Sequence, residues 1–190
     1  MVEAVVLASK SPRRAELLQQ IGLRFEVMAA DIDETPAASE DAQQYVRRMA
    51  TEKAMAVVAL APNRAVLAAD TSVIVDGEIL GKPENRRHAE TMLNLLSGRS
   101  HQVMTAVALY ADGQLRQALS VTEVNFAVLS SAQISAYLAT GEADDKAGSY
   151  GIQGAAGYFV QHLAGSYSGV VGLPLYETAA LLSEAGIGLE

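Results

Sequence analysis

Two Asp-Gly dipeptides, Asp76-Gly77 and Asp112-Gly113, each stand between apolar runs, and that pattern is the strongest short-range signal for a β-hairpin. It calls for antiparallel strands. The chain opens differently, with an apolar run over residues 3–8, Ser11 and Pro12 as helix-start residues, and a helix pattern reaching Ile21 before Gly22. A strand-turn-helix unit of this kind belongs to a parallel arrangement. A chain carrying both signals is expected to form an α/β fold with a mixed sheet covered by helices.

The remaining elements fill in around these. A short strand at 25–28 precedes the acidic stretch "DIDETPAASED", in which Ser39 or Asp41 is placed to cap a helix over 42–60 with Val46, Met49, Ala50 and Val57 as its apolar stripe. A buried strand then ends at Ala69, followed by a second run that turns at Asp76-Gly77. Asn85 caps a helix over 86–96, stopped by Gly98, and two long strands surround Asp112-Gly113 within 101–128. Ser130 and Gln133 form a capping box for a helix to 139. "GEADDKAGSYGIQGAAG" is too long for a turn, "YFVQHLAGSY" reads as a strand, and Pro174 starts a last helix to 184.

At 190 residues, half of them apolar, the chain can bury the core of one domain or of two closely joined lobes. It has no cysteine and three scattered histidines, so any bound metal must be a hard, oxygen-bound cation such as magnesium or manganese. The net charge of −8 disfavours polymeric nucleic acid, which broad basic surfaces hold, but leaves room for a small phosphate ligand on a local cluster. No apolar run approaches the ~20 residues of a membrane span, and no secretory leader pattern is visible, so a cytoplasmic protein is expected.

Against that acidic background, "SPRR" places Arg13 and Arg14 in the first turn of a helix, where the unpaired N–H groups and the helix dipole favour anions. Either the arginines reach solvent or nearby acids, or a phosphate sits between them and the helix start with Ser9 and Ser11 as further donors. Asp70 closes "VLAAD" with Thr71 next to it, read as a metal ligand, a proton acceptor for water, or a simple turn cap. Asp33 and Glu34 supply a second acidic locus. Lys53 falls four residues after Met49 and so projects from the apolar stripe of its helix, either snorkelling or reaching a phosphate. Lys82 is held between Gly81 and Pro83, and Gln153, in a loop with Lys146, offers a donor and an acceptor suited to a base edge.

Taken together, "LASKSPRRAELL", "DIDET", "AADTSVIVDGEILGKP", "LSGRSHQVMTAV" and "DKAGSYGIQGAAGYFVQHLAGSYSGVVGLPLYET" closely resemble the Maf family, also called the septum formation inhibitor family. The resemblance covers nearly the whole chain. It implies one domain over residues 1–190, built of two lobes, with an inosine triphosphate pyrophosphatase-like fold: a long mixed β-sheet flanked by helices and a deep cleft between the lobes. It implies hydrolysis of nucleoside triphosphates between the α and β phosphates with a divalent cation, Mg2+ or Mn2+. The "DKAGSYGIQG" form resembles the subgroup acting on dTTP and UTP.

The resemblance further implies Asp70 as proton acceptor, Arg13, Thr71 and Gln153 as selectivity residues, Ser9, Arg14, Lys53 and Lys82 as phosphate contacts, and Glu34 with Asp70 near the metal. The family's older name keeps open a second reading, a non-catalytic nucleotide-binding regulator of septum formation. A homodimer is the default expectation for a soluble enzyme.

Overall fold

The computed structural model describes residues 4–38 and 40–189. Ser39, the alternative cap, lies outside the described residues, as does residue 3 of the first apolar run. A seven-stranded sheet carries the fold, made of β1 (Val5–Leu7), β2 (Phe25–Val27), β3 (Val66–Val75), β4 (Glu78–Leu80), β5 (Ser100–Ala111), β6 (Gln114–Phe126) and β7 (Val160–Ala164). Their order is β2-β1-β3-β5-β6-β7, with β4 paired to β3 alone. The β1 pairings to β2 and β3 are parallel and all the others antiparallel, as the two kinds of signal require. Both Asp-Gly pairs sit in tight turns with positive φ, at 53° and 81° for Asp76-Gly77 and 52° and 74° for Asp112-Gly113.

Helices cover both faces: α1 (Pro12–Gln20), α2 (Ala42–Val58), α3 (Arg86–Leu96), α4 (Ser131–Leu138), α5 (Tyr167–Val171) and α6 (Leu175–Glu184). Asp41 caps α2 through a reciprocal box with Gln44, and the stripe of Val46, Met49, Ala50 and Val57 is fully buried against the sheet. Three apolar clusters result. One lies under α2, one under α1 and α6, and one joins α3, α4 and the aromatic residues Phe126, Tyr137, Tyr150 and Phe159.

Three readings of the sequence are corrected. The run around Asp70 is one ten-residue strand, so Asp70 lies mid-strand instead of closing it; its backbone stays paired because β5 runs alongside, Asp70 opposite Ala106. "YFVQHLAGSY" is not one strand: the 3-10 turn Ala155–Phe159 precedes β7, and Gly165, at φ 137°, breaks the chain into the short helix α5. Helix α2 also stops two residues early, at Val58.

The partner switch along β3 shapes the molecule. Its first part pairs with β1 (Val66 with Val6, Leu67 with Leu7) and its last part with β4 (Val73 with Leu80). Between them, Ala68 to Ser72 have no strand on that edge among the described residues, and the sheet is open there. Because side chains alternate along a strand, Asp70 points to the α2 face and Thr71 to the opposite one.

Candidate active site

The opening along β3 is the floor of a cleft of about 690 Å³. Its walls come from the β1–α1 turn, the acidic loop, α2, the loop after β4, the late glycine-rich loop and residues 170–172. The nine residues that the resemblance implies, Ser9, Arg13, Arg14, Glu34, Lys53, Asp70, Thr71, Lys82 and Gln153, line it. The lining holds six Lys and Arg side chains against four Asp and Glu, so the cleft is locally positive in a chain of net charge −8. That inversion of sign suits a polyanion.

On the α2 side, the Lys53 ammonium donates to Asp70 Oδ1 at 2.7 Å and contacts Glu34 Oε1 at 2.7 Å. Tyr45, Met49 and Lys53 stand four residues apart on one face of α2, which brings Lys53 over the strand and Tyr45 over the acidic loop. Tyr45 donates its hydroxyl to the Glu34 carbonyl at 2.9 Å, and Arg48 holds the Thr35 carbonyl at 3.1 Å and Glu40 at 2.7 Å. The acidic loop is thus pinned to α2. Asp33 accepts from the Thr35 amide instead of facing the cleft, so only Glu34 of that pair reaches the site. Burial would raise the Glu34 carboxyl, but Lys53, with Lys82 and Arg14, holds it below the usual carboxylate range. Tyr45 is pushed up to about 12 by burial and by the charges of Asp70 and Glu34.

On the opposite side of β3, Arg14 is held at three points. Its Nε donates to the Gly172 carbonyl at 2.8 Å, Nη1 to Ser9 Oγ at 3.1 Å and Nη2 to Thr71 Oγ1 at 3.3 Å. Burial lowers its pKa, with Asp70 opposing and Arg13 adding to that shift. Ser11 occupies the N-cap position of α1, yet its side chain makes no cap bond; its amide donates to Ser9 Oγ at 3.2 Å. No acidic side chain enters the first turn of α1. The favourable dipole end therefore faces the cleft, and the arginine preorganised beside it is the geometry of an anion site.

The late loop closes the third wall. Arg13 reaches Asp145 at 3.6 Å, Lys146 Nζ bonds the Glu142 carbonyl and Asp145, and Gln153 is exposed in the lining with its side-chain amide free to turn. Lys82 is exposed on the loop opposite, whose Gly81 carbonyl accepts from the Gly148 amide. Tyr45, Thr105 and the Gly172 carbonyl escaped the reading of the sequence. The four-residue ladder with Lys53 was a usable signal for Tyr45. A backbone carbonyl and a threonine buried mid-strand leave none.

A mixed sheet opened at one strand edge, with cations, paired carboxylates and a helix start around the opening, defines an α/β protein whose cleft suits phosphate-bearing ligands. The chain belongs to the Maf family: the family described as Maf-like protein matches residues 4–185. Curated relatives include a dTTP/UTP pyrophosphatase of Colwellia psychrerythraea, 54% identical over 189 residues that cover 97% of this chain and 89% of that one. A dTTP/UTP pyrophosphatase of Salmonella typhimurium is 57% identical over 178 residues, 93% of this chain and 90% of that one. Among solved structures, a HAM1 protein from Coxiella burnetii superposes with a TM-score of 0.56 at 17% identity over 96% of this chain and 99% of that one. That likeness shows an inosine triphosphate pyrophosphatase-like fold.

Proposed function

We propose that the chain is a nucleoside triphosphate pyrophosphatase that hydrolyses dTTP and UTP to the nucleoside monophosphate and pyrophosphate, working as one domain of two lobes in the cytoplasm. The observation that carries the reading is the convergence of Arg14, Lys53, Glu34 and Asp70 on one cleft, with Lys53 bridging both carboxylates at 2.7 Å. The names of the relatives support the substrate class. Among the described residues no helix is long and apolar enough to cross a membrane.

The donor set fits a divalent cation of the magnesium or manganese type. Glu34 and Asp70 offer hard carboxylate oxygens close to each other, and among the described residues no cluster of three or more His, Asp or Glu is placed to hold an ion by itself. Such a site takes its remaining ligands from substrate phosphates and water. Bound there, the cation would supply charge neutralisation and polarisation of the phosphoryl oxygens.

The chain's own residues do the rest. Arg14, fixed by Gly172, Ser9 and Thr71, presents a guanidinium that needs no reordering when the phosphates arrive, and Lys53 and Lys82 neutralise developing charge on the leaving pyrophosphate. Asp70 orients a water at the α phosphorus and accepts its proton at the carboxylate, while Lys53 holds that carboxylate in place. Thr71 on the floor of the cleft, with Arg13 and Gln153 on its walls, selects the base and sugar. A panel of nucleoside triphosphates with magnesium, assayed for both pyrophosphate and orthophosphate, tests the reading. UTP and dTTP are expected to give pyrophosphate and the monophosphate; saturable binding without product supports the regulator of septum formation instead.

A further inference from the structure

Resting on that reading, we propose that Thr105 is a positioning residue that fixes the polarity of the Thr71 hydroxyl, and with it the discrimination between pyrimidine bases. Thr105 lies on β5 directly opposite Thr71 and is almost fully buried. Its hydroxyl donates to the Gly169 carbonyl at 2.7 Å, and a hydroxyl has a single hydrogen to give. The contact between Thr71 Oγ1 and Thr105 Oγ1, at 3.0 Å, therefore has one direction: Thr71 donates and Thr105 accepts. Arg14 Nη2, which can only donate, then takes a lone pair of the same Thr71 oxygen at 3.3 Å. The chain of bonds runs Arg14 to Thr71 to Thr105 to Gly169, and the single hydrogen of each threonine hydroxyl is committed.

What Thr71 keeps for the cleft is a lone pair without a proton. At ring position N3, uracil and thymine carry an N–H while cytosine carries a lone pair, so an acceptor-only hydroxyl attracts the first and repels the second. Gln153 cannot make this distinction alone, because its exposed amide can turn to present either oxygen or N–H. A free threonine hydroxyl would be equally adaptable. The buried link to Thr105 removes that freedom, and the segment carrying Gly169 supplies the fixed acceptor.

The test measures affinity for the α,β-imido analogues of UTP and CTP with magnesium, in the wild type and in Thr105→Val, Thr71→Val, the double variant and Thr105→Ser. The preference for the uridine analogue is expected to fall about fivefold to tenfold in Thr105→Val, the net worth of one hydrogen bond. It is expected to fall similarly in Thr71→Val and no further in the double variant, and Thr105→Ser is expected to retain it. Should Thr105→Val fail to fold, Thr105→Ala, which cannot overpack, is read the same way. An equal loss for both analogues, independent losses that multiply in the double variant, or a wild type without preference overturns the inference. A wild type that prefers the uridine analogue yet releases no pyrophosphate from UTP overturns the activity and leaves the test of Thr105 intact.

Discussion

Single residues in this molecule are read best from what they leave unpaired. His101, on β5, bonds Tyr150 through Nε2 at 2.7 Å and packs edge-on against Phe126 and Tyr150, while its Nδ1 has no partner. Burial, the only cause of its shift, lowers its pKa to about 4. The unfolded chain therefore binds a proton that the folded one refuses between that value and the ordinary value of about 6.5, so stability is complete above the upper limit and lost as pH falls through the window. Urea titrations of wild type and His101→Asn are expected to differ in pH dependence, the wild type losing about 2 kcal/mol more between pH 7.5 and pH 5. Parallel pH profiles would contradict a neutral His101 core. No local pattern in the sequence discloses this neutral His101, since its Tyr150 partner lies 49 residues away.

At the scale of elements, the segment after β7 shows why local patterns failed. Read locally, "YFVQHLAGSY" is apolar and β-prone, but Thr122 on β6 accepts from the Ser166 amide at 2.9 Å and pulls the chain down onto a polar strip of Thr105, Ser120 and Thr122. Only glycine fits at that approach: a Cβ on Gly165 would lie 2.6 Å from Thr122 Oγ1 and 3.0 Å from its Cα, at a φ of 137°. Gly165→Ala is expected to cost about 2 kcal/mol or more in denaturant unfolding. Gly188→Ala, where nothing lies within 4 Å, is expected to stay within about 0.5 kcal/mol of wild type. Equal midpoints for the two variants would contradict the close docking. Caps and hairpins, by contrast, were legible because Asp41, Asn85, Ser130 and the Asp-Gly turns act through neighbours within three residues.

At the scale of the whole molecule, the sequence made the mixed sheet legible, because parallel and antiparallel signals occupy different stretches. It did not disclose where the sheet opens. The gap exists because β1 is only three residues long and β4 starts again six positions along β3, from Leu67 to Val73, a matter of register that no local pattern encodes. The resemblance to the Maf family brought the site residues together as a set; the partner switch explains how Asp70 and Thr71, on opposite faces of one strand, line one cavity. The same opening puts Asp70 within reach of Lys53 on one side and Thr71 within reach of Arg14 on the other. The most direct measurement is pyrophosphate release from UTP by purified wild type and Asp70→Asn under identical magnesium and pH. Asp70→Asn, with its amide oxygen still able to accept from Lys53, is expected to fold with an unchanged CD spectrum and to lose about a hundredfold or more in turnover; turnover within a few-fold of wild type would contradict the role of Asp70 as proton acceptor.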